Sequence, residues 1–151
     1  MILEHEFITT RPEEDAIATI RQLLMDLGFK EKRNTDGRDF VRGLKNASTA
    51  RRPSDLPQVV RFDFDRGRVS LGVVLEIHGK VKPVHGEMMH TLAVAIENAV
   101  SRDVPLDVAR EPWDAFVAAH PKRRGIVETI MLVFLVVLLA ALLAVSIGIN
   151  L

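Results

Sequence analysis

Apolar and polar residues alternate along residues 2–9, setting Leu3, His5 and Phe7 against Glu4, Glu6 and Ile8. A period of two in β-forming residues predicts a strand with one wet face. The period then lengthens. Pro12 followed by Glu13, Glu14 and Asp15 marks a helix start, since proline gives up no needed amide there and acids suit the positive end of the helix dipole. Ile17, Ile20, Leu23, Leu24 and Leu27 fall on one face, and Gly28 stops the helix.

The shorter period returns twice. Residues 29–33 and 38–44 flank Asn34-Thr35-Asp36-Gly37, where Asp-Gly supplies the positive φ of a tight hairpin turn. Residues 43–57 hold Asn46, Ser48, Thr49, Pro53, Ser54 and Pro57, and read as a loop too polar and too broken for regular structure. Residues 58–65 then set Val60, Phe62 and Phe64 against Arg61, Asp63 and Asp65, turn at Arg66-Gly67, and return through residues 68–78 as a second hairpin. After Gly79, residues 84–100 place Met88, Leu92, Ala95, Ile96 and Ala99 on one helical stripe. The order β-α-β-β-β-β-α predicts an α+β fold, a two-layer sandwich in which two helices cover one face of an antiparallel sheet.

Beyond residue 100 the pattern changes again. Pro112 suits a helix start, and Trp113, Phe116, Val117 and His120 follow on one face of a short connector helix. That stripe suits packing on the domain or a partner protein, with the headgroup layer of a membrane as the competing reading. Residues 130–149 read IMLVFLVVLLAALLAVSIGI without a charge. As a helix this stretch is about 30 Å long, the thickness of a bilayer core, and predicts one transmembrane helix. Ala140, Ala144 and Gly148 recur at every fourth position of it, a small-residue stripe that lets two helix backbones approach closely.

The expected organisation is therefore an α+β domain at residues 1–100, an amphipathic connector and basic juxtamembrane segment at 101–124, and a C-terminal transmembrane helix at 125–151. Lys122, Arg123 and Arg124 precede the span and place the domain in the cytoplasm by the positive-inside rule. The opening Met1-Ile2-Leu3-Glu4 carries no secretory signal, which agrees with that orientation. A cell membrane, most simply a bacterial inner membrane, is the expected location, with insertion after the chain is complete.

Charge and composition narrow the function. Twenty basic and twenty acidic residues cancel, which argues against a nucleic-acid binder, because such proteins need a basic excess to displace counterions. With no cysteine, thiol nucleophiles, iron–sulfur clusters and cysteine zinc sites are excluded. His85 and His90 stand roughly 140° apart on a helix and cannot share a ligand, so solvated or capping roles suit them better than a metal site. Asp63 and Asp65 belong to the wet face of a strand. No glycine cluster forms a phosphate loop with its lysine.

Arg42, Lys45, Arg51 and Arg52 form a basic loop free of acids, suited to anionic headgroups or an acidic patch on a partner. No catalytic residue, cofactor or metal ligand is expected. The sequence points to a tail-anchored accessory or scaffold subunit of a membrane complex, whose partners are membrane lipid and either other membrane subunits or further copies of itself. The docking residues are the span stripe, Lys122, Arg123 and Arg124, and the face of Trp113, Phe116 and Val117. The competing expectation is a membrane-tethered module enclosing a small apolar ligand, which needs an interior not filled by Phe7, Phe40, Phe62 and Phe64.

Overall fold

The computed structural model describes residues 1–34, 37–43, 50, 52–77, 79–102, 104–121, 131 and 133–139. The chain divides into two compact units, Met1–Pro121 and Lys122–Leu151. In the first, the elements run β1 (Ile2–Ile8), α1 (Glu13–Asp26), β2 (Lys30–Asn34), β3 (Gly37–Arg42), β4 (Gln58–Asp65), β5 (Arg68–Leu75), α2 (Pro83–Ser101) and α3 (Leu106–Ala119). The fold is α+β around a five-stranded antiparallel sheet of order β1-β5-β4-β3-β2. Up to α2 this is the order that the periodicity predicts.

Local chemistry explains the boundaries. α1 ends in a glycine-terminated cap: Gly28 has φ of 84°, its amide donates to Met25, and the Phe29 amide reaches back to Leu24 at 2.9 Å. The β4–β5 turn puts Arg66 at φ 49° and Gly67 at φ 85°, the pair of positive values that matches the twist of a two-residue hairpin. Thr35 and Asp36, in the turn between β2 and β3, lie outside the described residues. β5 stops at Leu75, three residues before the expected end at residue 78. Its partner strand begins at Gln58, and the preceding Pro57 has no amide with which to extend the ladder, although its carbonyl still accepts from Glu76 at 3.0 Å.

The loop between β3 and β4 is not wholly irregular, since Pro53–Asp55 form a 3-10 turn. The connector helix also differs from expectation. It starts at Leu106 behind Pro105, not at Pro112, which sits inside the helix. Pro105 offers the same start signal about two turns earlier, and the buried Ala109 extends the Trp113–Phe116 stripe back to meet it. Pro112 can give no amide to the carbonyl of Val108, a residue 42% exposed, where water can take the bond instead.

The core lies between one sheet face and the helices. Phe7, Phe40, Val60, Val69, Leu71, Val73 and Leu75 come from the sheet, and meet Ile20, Leu23 and Leu24 of α1 and Met88, Leu92 and Ile96 of α2. α2 packs on β1 and β5, α1 packs on α2 and β2, and α3 lies along α2. The Phe40 and Phe62 rings stack at 5.8 Å, and Phe62 and Phe64 are partly buried against the core.

In the second unit, Met131 and residues 133–139 are helical. Among the described residues no helix is long and apolar enough to cross a membrane. The stretch expected to span, 130–149, falls mostly outside those residues.

Candidate functional site

Sheet register defines two ends of the domain. At one end, Leu75 is paired with Gln58 and Gln58 with Arg42, and Met1 exchanges backbone bonds with Leu75 at 2.8 and 3.0 Å. The opposite end carries the Arg66-Gly67 turn, bonded to the Thr9 amide at 2.8 Å.

α2 runs between these ends. Its first turn lies beside Met1, whose side-chain tip is 3.5 Å from where a Cβ on Gly86 would stand. Its last turn is latched to β1 by Thr9 Oγ1 donating to Val100 at 3.1 Å and Ser101 Oγ donating to Ile8 at 2.8 Å. α3 then turns back along α2, and halfway along it Trp113 already meets Arg42. The compact unit therefore ends, at Pro121, toward the same end that carries Met1, Arg42 and the β3–β4 loop.

The expected docking residues divide sharply here. Trp113 and Phe116 are 2% and 5% exposed and belong to the core cluster, with Val117 packed against it. Their rings stack at 6.1 Å, and His120 lies 4.4 Å from Phe116 with Nδ1 2.9 Å from the Phe116 carbonyl. Arg42 is drawn in rather than displayed. Its guanidinium sits 5.0 Å from the Trp113 ring centre and 5.8 Å from that of Phe29, which places it between two aromatic faces.

Burial, and secondarily the charge of Arg52, lower the pKa of Arg42 from its ordinary value. Arg52 pairs with Asp55 at 2.8 Å. Among the described residues, Arg42 Nη1, Ser54 Oγ and Gln58 Oε1 are buried without a hydrogen-bond partner, although Gln58 Nε2 donates to the Ser54 and Leu56 carbonyls. Lys45, Arg51, Lys122, Arg123, Arg124, Ala140, Ala144 and Gly148 lie outside the described residues.

Several further polar contacts fix the elements in place. His5 Nε2 lies 2.8 Å from Glu97 Oε2, joining β1 to α2. Glu31 bridges Arg21 of α1 at 2.8 Å and Arg38 of β3 at 3.0 Å. His85 caps α2: the Lys82 amide donates to His85 Nδ1 at 3.2 Å, while the His85 amide donates to the Lys82 carbonyl at 3.0 Å. Burial and the nearby Lys82 charge lower the His85 pKa.

Asp63 is solvent-exposed on the uncovered sheet face and accepts a bond from the Phe64 amide at 3.0 Å. Among the described residues no three histidines and acids gather to hold a metal ion. Phe7 and Phe40 are buried between sheet and helices with Phe62 and Phe64 packed against that core, and concavities among the described residues open on the surface. One of about 580 Å³ runs along the outer side of α1, from Glu14 and Ile17 to Met25. Ile17, expected in the core, lines that concavity and is only partly buried. Another of about 320 Å³ lies at the Arg42 end, with Val41 and Val59 beside Lys30 and Lys32.

The chain matches no protein-family model, no curated protein and no solved structure.

Proposed function

We propose that the protein is a non-catalytic, tail-anchored accessory or scaffold subunit of a membrane protein complex, with its α+β domain on the cytoplasmic side. One observation carries the reading. In residues 133–139 every side chain is a large hydrophobic one, and each is between 47% and 68% exposed. An unbroken apolar surface of that kind is stable only against lipid or another protein. The uncharged sequence of residues 130–149 extends it to bilayer length.

Two further features support the assignment of roles. Lys122, Arg123 and Arg124 lie between the domain and the apolar stretch, as expected for the cytoplasmic flank of a span. The interior filled by Phe7, Phe40, Phe62 and Phe64 favours a domain that displays surfaces over one that encloses a ligand. On this reading Ala140, Ala144 and Gly148 form the face that meets a neighbouring helix, and Trp113, Phe116 and Val117 serve the domain core before any partner.

The test is gentle detergent extraction of the full chain, followed by mass spectrometry of what stays bound. A stoichiometric membrane partner, or a homo-oligomer, is expected. Ala144→Leu or Gly148→Leu should release it by forcing the backbones apart, while Leu138→Ala, off the stripe, should not. Extraction of the chain by alkaline carbonate without detergent would overturn the anchoring. Retention of the same partner by both stripe variants would overturn docking through the span.

A further inference from the structure

The domain end that carries Met1 combines exposed aliphatic side chains with lysines. Among the described residues of the compact unit, six large hydrophobics are exposed: Met1, Ile2, Ile8, Met25, Val81 and Val108. Three of these six gather at this end, with Ile2 66%, Val81 60% and Met1 44% exposed. Val81 lies just ahead of the first turn of α2, the turn against which the Met1 side chain rests. Lys80 and Lys82 flank Val81, and both are exposed.

The same end continues across the uncovered sheet face. Register pairs Ile2 with Val74, Val74 with Val59, Val59 with Val41 and Val41 with Lys30. This is one row of half-buried aliphatics with exposed Ile2 at one edge and exposed Lys30 at the other. Acids here are few: from Arg68 to Gly86 the sequence holds only Glu76, and exposed Glu87 follows at the start of α2. Asp55, in the neighbouring loop, is paired with Arg52.

We propose that this end, formed by Met1, Ile2, Lys30, Lys80, Val81 and Lys82, docks on the surface of an anionic lipid bilayer. An acidic protein patch would satisfy the lysines but would set Met1, Ile2 and Val81 against charge. A bilayer interface offers both kinds of contact, phosphates to the lysines and the acyl boundary to the aliphatic tips. Tethering favours the same face. The compact unit ends at Pro121 toward this end, and the uncharged stretch begins nine residues later, at residue 130. Nine residues reach at most about 30 Å, a tether length that permits this end to meet the headgroups.

The inference rests on the membrane reading, and the two can fail separately. The full chain is mixed with phosphatidylcholine vesicles and with vesicles rich in phosphatidylglycerol. Anchoring is read by carbonate-resistant flotation, and docking by hydrogen exchange of residues 79–82 and 28–32. Expected is anchoring in both, with slower exchange of these segments on the anionic vesicles alone.

Substituting Lys30, Lys80 and Lys82 together by glutamine should reduce the docked-to-undocked ratio on the order of 100-fold. Arg66→Gln with Arg68→Gln, at the opposite end, should leave it unchanged. Unchanged exchange in β5 verifies that each variant is folded. Anchoring without a charge-dependent difference overturns the docking face and leaves the anchor standing. A difference without anchoring overturns the anchor and leaves the face standing. Protection seen only in native membranes, and not on pure anionic lipid, points to an acidic protein and overturns the lipid assignment.

Discussion

Leu71 and Gly72 are neighbours in β5 and face opposite ways. Leu71 is 2% exposed beneath the helices, level with Val69, Val73 and Leu75. Gly72 lies on the open face, in a row that pairs it with Glu4 of β1 and Arg61 of β4. On the covered face every position of β4 and β5 except Gln58 is aliphatic or aromatic. On the open face charges pair across strands, as Arg61 does with Asp39 at 2.7 and 3.1 Å. The covered face carries the stability, because apolar area removed from water accounts for it at about 25 cal/mol per Å². Exposed ion pairs contribute about 0–1 kcal/mol each, which leaves the open face and its ends free to change with their partners.

The strongest way to break this comparison is Leu71→Ala. It should cost about 2–5 kcal/mol, through lost transfer energy and the cavity left between sheet and α2. Urea unfolding monitored by circular dichroism measures it. A loss below the range would mean that the helices do not seal this face.

A polar group under the covered side gives the second test. His85 accepts the Lys82 amide at Nδ1 and must be neutral to do so, and burial with the Lys82 charge holds its pKa below the ordinary 6.5. The unfolded chain therefore takes up the proton at higher pH than the folded one. The contribution of the cap is complete above about pH 6.5 and is lost as pH falls below it through the folded pKa. Its loss is worth about 1 kcal/mol, the usual size of a helix cap. Thermal melts across that range should fall for the native chain more steeply than for His85→Gln, and parallel slopes would remove His85 as the cause.

The smallest effect has the opposite sign. A Cβ on Gly72 meets nothing nearer than the Arg61 carbonyl at 4.0 Å, and its φ is not in the left-handed region. Gly72→Ala should stabilise the protein by about 0.4–1 kcal/mol by restricting the unfolded chain. A loss of stability at this position would show that the open face is packed rather than free.

The strands were legible because alternation is a local signal: Val60 against Arg61 and Phe62 against Asp63 already tell which side is wet. α1 was legible for a similar reason, with acids at its start and Gly28 at its end. The start of α3 was less so, since Pro105 and Pro112 give the same local signal and only the burial of Ala109 decides between them. The basic loop was misleading at Arg42. Four nearby cations look alike in sequence, and nothing local marks the one whose guanidinium will lie between Phe29 and Trp113. His5 with Glu97, 92 residues apart, is likewise invisible until β1 and α2 are brought together.

The placement of β1 at the sheet edge has a consequence for how the domain is made. β4 and β5 meet across Arg66 and Gly67, whereas Ile2 pairs with Val74 and Ile8 with Arg68. On a ribosome adding roughly 5–20 residues per second, β1 has no partner for several seconds after it emerges, while α1 can form within about a microsecond. Throughout that wait Glu4 and Glu6 alternate with the apolar residues of the strand and discourage pairing with another nascent chain. The strand synthesised first is the one whose docking on β5 completes the sheet.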